Sequence, residues 1–281
     1  MLTLGLRAHD FMISDDLEQL AQTIADNGVR VVQFANGISL PHLSQNGRGI
    51  SAGLGLQVNQ MMQVKKIQIG VLSSYINLID PDETKQAANI AQFKQYLTLA
   101  GTYGAHLVAT EPGSLDPEFK PTTRNYTPEV VQKTIANVQT LVATAEKVGQ
   151  LVGIEAGINH PIHSLETIDQ LLKTVDSPNL KIILDPVNLL NEDNKADLYQ
   201  ILEEGLARFG DAIYAVHVKD YQFETTKDIM APGTGVMDFE RFFKIMAHYQ
   251  PAGLVILDEA PREGLEAGIQ LLQQTIAKVR D

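Results

Sequence analysis

The chain has no cysteine. That removes disulfides and thiolate zinc sites together, and leaves oxygen and nitrogen as the donors for any metal. It also lacks an uninterrupted run of about eighteen apolar residues, the length a transmembrane helix needs. Basic residues are scarce: 22 Lys and Arg stand against 34 Asp and Glu, a formal charge of −12. General affinity for nucleic acid or for an anionic membrane depends on clustered Lys and Arg. Neither partner is expected, and a neutral or sparsely charged small molecule is the natural ligand. The opening residues Met1 to Arg7 show no basic segment followed by an apolar stretch and a small-residue cleavage site. They read as a first strand, and a cytoplasmic location fits.

What is present is an ordinary globular composition, 44% hydrophobic and 20% charged over 281 residues. That length suits a complete eightfold β/α barrel in a single domain spanning 1–281. Strands are expected at Leu2–Ala8, Val29–Phe34, Ile67–Leu72 and His106–Thr110, and then at the runs ending in Glu155, Asp185 and His217, with Leu254–Leu257 last. Between them lie segments of helical period, including Leu17 to Ile24, Thr84 to Tyr103 and Leu165 to Val175. Ser14 is placed to cap the first helix. Thr127-Pro128-Glu129 supplies a cap, a helix-starting proline and an acid in the first turn. Eight alternating units favour a closed barrel over an open doubly wound sheet. Asn36 to Gly55 and Pro112 to Tyr126 have loop composition and read as long rim loops, the first a lid candidate. Ala231 to Phe239 reads as a third.

Three apolar runs each end in a metal-binding residue type: Leu151-Val-Gly-Ile-Glu155, Lys181-Ile-Ile-Leu-Asp185 and Tyr214-Ala-Val-His217. Their ends lie 30 and 32 residues apart, the length of one β/α unit. Parallel barrel strands present their C-terminal ends at one rim, so the three side chains converge. Two carboxylates and an imidazole suit one divalent ion, Mn²⁺, Mg²⁺, Co²⁺ or Zn²⁺, with coordination positions left for a substrate.

Asp185-Pro-Val-Asn-Leu189, His217-Val-Lys-Asp220, Gly153-Ile-Glu-Ala156 and the Gly-x-Gly-x-x-Asp-Phe segment ending at Phe239 resemble the xylose isomerase-like barrel superfamily. Within it, the likeness is to the sugar phosphate isomerase and epimerase group. These matches fall in order along the second half; the first half matches in architecture.

The resemblance implies a (β/α)8 barrel with one metal on Glu155, Asp185, His217 and a second glutamate. Two acids follow Leu257: the family pattern favours Glu259, while spacing from Gly253 fits Asp258 equally well. It further implies a metal-dependent isomerase or epimerase of a small sugar or sugar derivative, in which the ion stabilises an enediolate and Glu155 and Glu259 move protons. Barrels of this kind are often dimers or tetramers, so a homo-oligomer is expected. Glu111, His160, Asn188 and Lys219 are candidate substrate contacts. Asn188 stands where some sugar epimerases have a histidine, and also suits a loop turn. Lys219 shares a strand face with His217 and can hold a substrate oxygen or pair with a ligand carboxylate. Lys120 and Arg124 are the loop cations nearest to a phosphate role, too few in an acidic chain to support one.

An inosose-type dehydratase is a neighbouring alternative on the same site. The superfamily's abasic-site endonucleases need more ligands and a basic rim, and only seven histidines are present. A barrel that binds sugar without turnover is the third competitor.

Overall fold

The computed structural model describes residues 1–224 and 226–280; Thr225 and Asp281, which the single-domain expectation includes, lie outside them. In chain order the elements are β1 (Thr3–Arg7), α1 (Leu17–Asp26), β2 (Val31–Ala35), α2 (Asn36–Ser39), α3 (Ala52–Val64), β3 (Gln68–Ser73), α4 (Glu83–Leu99), β4 (Leu107–Thr110) and α5 (Pro128–Val148). There follow β5 (Leu151–Glu155), α6 (Leu165–Val175), β6 (Leu180–Leu184), α7 (Leu198–Phe209), β7 (Ile213–Val218), β8 (Asp220–Phe223), β9 (Lys227–Met230), α8 (Phe239–Tyr249), β10 (Leu254–Leu257) and α9 (Leu265–Arg280).

Eight parallel strands close into a barrel in the order β1, β10, β7, β6, β5, β4, β3, β2, as the alternating pattern predicts. Two packed layers hold it. Val71, Leu107, Ala109, Ile183, Ala215 and Ile256 fill the interior. The other strand faces meet the helices in a larger apolar core that includes Leu20, Phe93, Leu141, Leu171 and Phe243. Fully burying each such side chain is worth roughly 1.5–3 kcal/mol. Gly153 sits inside because a Cβ there would stand 2.8 Å from Leu107 Cδ2.

Three local expectations are corrected. The cap of α1 is Asp16, whose side chain accepts from the Gln19 amide, not Ser14. Asp15 turns the chain through a positive φ of 57° between them. The stretch Asn36 to Gly55 is not an open loop: it holds α2 and the first turn of α3, and buries Leu40, Ser44 and Ile50. Tyr96 Oη donates to the Gly47 carbonyl at 2.9 Å and Ser44 Oγ to that of Asn36 at 3.0 Å, pinning it to the body.

The third correction is an antiparallel hairpin, β8–β9, which emerges between β7 and the third rim loop. Its base is clamped by Asp220, whose carboxylate accepts from the amides of Gly233 at 2.8 Å, Gly235 at 2.9 Å and Met237 at 3.0 Å. Gly235 has no room for a side chain, since a Cβ would lie 2.3 Å from Asp220 Oδ1. Asp238 of the same loop caps α8 through the Arg241 amide. The glycine-rich motif is thus accounted for by backbone packing.

Candidate metal centre and substrate cleft

Strand alternation selects what enters the barrel. Interior residues Ile183, Ala215 and Ile256 are followed, two positions on, by Asp185, His217 and Asp258. Inward-facing Gly153 is likewise followed by Glu155. All four are buried at the C-terminal rim, and one donor atom from each lies within 4.8 Å of the others. His217 Nδ1 stands 3.2 Å from Glu155 Oε1, 3.6 Å from Asp185 Oδ2 and 3.6 Å from Asp258 Oδ1.

Asp258, not Glu259, is therefore the acid that joins Glu155, Asp185 and His217. Of the two acids left open after Leu257, the family-favoured Glu259 lies outside the cluster. Beyond the end of β10 the chain turns through a positive φ of 52° at Glu259, which carries that side chain over the rim to a half-exposed position.

Two atoms of the cluster make no hydrogen bond of good geometry. His217 Nδ1 and Asp185 Oδ2 are buried without a hydrogen-bond partner, although oppositely charged groups are near. The Gln33 carbonyl oxygen, which can only accept, faces His217 Nε2 at 3.0 Å, so that nitrogen carries the hydrogen. Nδ1 faces three carboxylates, which in the absence of a cation favour a proton on it as well. One imidazole nitrogen and three carboxylate oxygens form a donor set fit for Mn²⁺, Mg²⁺, Co²⁺ or Zn²⁺. A divalent ion would replace the proton on Nδ1 and share Asp185 Oδ2 with Lys219.

Charge in the cluster is balanced from two sides. Lys219, fully buried, puts Nζ 2.9 Å from Asp185 Oδ2, 2.5 Å from Asp258 Oδ2 and 2.6 Å from Glu259 Oε2. Burial opposes its charge, but Asp185, Asp258 and Glu259 outweigh that and hold the ammonium well above the ordinary lysine value. Arg7 on β1 approaches Asp258 at 3.2 Å and is itself paired with Asp10 at 2.8 Å. Burial would also raise Asp258, yet Lys219, His217 and Arg7 keep it well below the carboxylate range. Glu155 differs: burial dominates and raises its carboxyl, with His217 pulling the other way. His217 is raised, since Glu155 and Asp258 overcome the effect of burial.

Asn188 links the parts. Its backbone amide donates to Asp185 Oδ1 at 2.9 Å and its side-chain amide to Glu155 Oε1 at 2.9 Å, while its carbonyl accepts from Lys219 Nζ at 3.2 Å. Glu155 and Glu259 are thereby joined through Asn188 and Lys219. The β8–β9 hairpin helps to wall a cleft of 530 Å³ lined by Glu111, His160, Asn188, Lys227 and Glu259, among others. Within it His160 Nδ1 faces the Gly113 carbonyl at 3.0 Å, and Nε2 lies 3.7 Å from Glu111. Lys120 pairs with exposed Glu118.

Arg7, Gln33 and Lys227 were not singled out from sequence. Arg7 and Gln33 did offer a signal, a charged or amide side chain inside an otherwise apolar strand.

Comparison with known proteins agrees with the fold. The chain superposes on L-ribulose 3-epimerase with a TM-score of 0.76 at 14% identity, over 100% of this chain and 96% of that one. D-psicose 3-epimerase from Clostridium cellulolyticum H10, solved with D-tagatose, gives 0.75 at 13%, over 98% and 99%. The IolI protein, solved with a bound zinc atom, gives 0.73 at 18%, over 99% and 97%. At these identities the likeness is one of fold. No curated protein matches the sequence. A family model described as the xylose isomerase-like TIM barrel matches residues 5–275, and with that span of the chain covered, the protein belongs to the xylose isomerase-like TIM barrel family.

Proposed function

We propose that the protein is a divalent-metal-dependent isomerase or epimerase of a small sugar or sugar derivative. The observation that carries this reading is the convergence of four buried donors beneath a rim cleft. Glu155, Asp185, His217 and Asp258 would hold the ion. When bound, it supplies a Lewis acid that draws electrons from a carbonyl oxygen and so acidifies the neighbouring C–H. Epimerases among the fold's neighbours, of L-ribulose and D-psicose, support a ketose as the substrate class.

The chain's own carboxylates move the protons. Assigning Asp258 to the ion frees Glu259, which lines the cleft, to act on substrate. Glu155 and Glu259 serve as the two proton-transfer groups, one ionised and one protonated. Lys219 contacts Glu259 at 2.6 Å and the Asn188 side-chain amide donates to Glu155 at 2.9 Å, which fixes the two carboxyl groups in place. Glu259 takes a carbon-bound proton and Glu155 returns one. Return to the opposite face of the same carbon is epimerisation; return to the adjacent carbon is isomerisation. Glu111 and His160 are placed to bind sugar hydroxyls. Asn188 is a positioning residue for Glu155 and Asp185.

The test is NMR of ketoses incubated in D₂O with protein loaded with Mn²⁺, Co²⁺ or Zn²⁺. Deuterium entering a carbon next to the carbonyl, dependent on the ion and on Glu259, supports the reading. Ketose recovered without deuterium across tetrose to hexose ketones contradicts it.

A further inference from the structure

Among the described residues, one charged side chain that lines the cleft has no ion-pair partner. Each acid on its wall already faces a nitrogen: Glu259 meets Lys219 at 2.6 Å, Glu192 meets Lys195 at 3.1 Å, and Glu111 meets His160 at 3.7 Å. Lys227 of β9 lines the same space. Its one hydrogen bond among the described residues runs to the Val187 carbonyl at 2.7 Å. No carboxylate lies within ion-pair distance of it among those residues, whereas the fully buried Lys219 has three.

The lysine is held in place. Its strand pairs with β8 in a four-residue register, Asp220 to Met230 through Phe223 to Lys227, and the Asp220 clamp fixes the base of the hairpin. Phe223 and Ile229 line the same cleft and give this part of its wall an apolar character. A lysine ammonium carries three donors, and only one is used. Half-buried beside a single neutral carbonyl, it is under-satisfied, and an anionic partner restores what partial burial removes.

We infer that Lys227 forms an anion subsite in the substrate cleft, and that the substrate is a sugar acid whose carboxylate binds there. A single flexible ammonium suits a monoanion. A phosphate dianion usually recruits an arginine fork or several backbone amides, and it would lie among three acids here. The inference rests on the sugar-isomerase reading above for the rest of the substrate, while the subsite itself stands on the uncompensated lysine. Burial lowers the Lys227 ammonium to about 8, consistent with a cation whose counter-ion arrives with the ligand.

The experiment is calorimetric binding to the metal-loaded full chain of three ketoses differing at one end: D-fructose, D-fructuronate and D-fructose 6-phosphate. D-Fructuronate is expected to bind more tightly than D-fructose by about tenfold to a hundredfold, the worth of a charged hydrogen bond. Lys227→Met should abolish that preference while leaving metal content and D-fructose affinity unchanged, and Lys227→Arg should retain part of it. Equal affinities for the three, tightest binding of the phosphate, a preference that survives in Lys227→Met, or no binding of any of them overturns the inference. Binding is read without turnover, so the two readings fail separately. Lys227-dependent fructuronate binding without deuterium exchange would remove the isomerase and keep the subsite. Exchange into a neutral ketose, with no Lys227-dependent preference for D-fructuronate, would do the reverse.

Discussion

Gln33 and His217 meet across the inside of the barrel, from β2 and β7, which are not neighbours in the sheet. Their 3.0 Å contact decides which nitrogen of the imidazole faces the acids. Gln33 is in turn held by Nε2, which donates to Tyr75 Oη at 3.2 Å. Partners of this kind orient a metal-binding histidine and make it more basic. Gln33→Leu is expected to lower the affinity for Mn²⁺ or Zn²⁺ by roughly tenfold to a hundredfold, measured by chelator competition. Unchanged affinity would mean that the ring is oriented by packing alone.

Lys219 and the ion divide the work of balancing the buried acids. Removing the lysine strands Asp185 and Asp258 in the metal-free protein. Breaking a buried pair in this way costs about 3–5 kcal/mol. Lys219→Met should therefore lose about that much stability without metal and regain much of it with saturating Mn²⁺ or Zn²⁺, in urea denaturation. An equal loss with and without the ion would place the effect in packing, away from charge.

The lowered Lys227 sets a pH dependence of known sign. Its pKa falls from 10.5 to about 8 in the folded chain, chiefly by burial. Below pH 8 both states are protonated and the penalty for the buried charge is complete. Between about 8 and 10.5 the unfolded chain binds more protons than the folded one, so this group makes stability rise with pH. Lys227→Met should be more stable than the native chain at pH 7, by on the order of 1–3 kcal/mol. That advantage should shrink towards zero by pH 10. An advantage that does not change with pH would show that the ammonium is not the source.

The barrel and three of the four clustered donors were legible because their signals are redundant. Glu155, Asp185 and His217 each close an apolar run, and the runs recur at the pitch of a β/α unit. The fourth donor was not, for a physical reason. Leu254-Val-Ile-Leu257 is apolar at every position because both faces of a barrel strand are buried. It has no alternation to say whether position 258 or 259 continues the inward face.

The hairpin was missed for another reason. Its strands, Asp220–Phe223 and Lys227–Met230, are four residues each and rich in polar groups. The connection Glu224-Thr225-Thr226 has none of the Asn-Gly or Asp-Gly chemistry that marks a tight turn. Lys227 was hidden with it. Arg7 and Gln33 were readable in principle, since each is polar at a position where a barrel strand is otherwise apolar.

The central claim is the division of labour between Asp258 and Glu259, and elemental analysis of two charge-neutralised variants tests it most directly. The native chain, purified without chelator, should carry about one divalent ion per chain. Asp258→Asn should lose it. Glu259→Gln should keep it while deuterium exchange into substrate falls by roughly a hundredfold to ten-thousandfold, the usual contribution of a proton-transfer group. Loss of the ion in Glu259→Gln together with full metal content in Asp258→Asn would contradict the account.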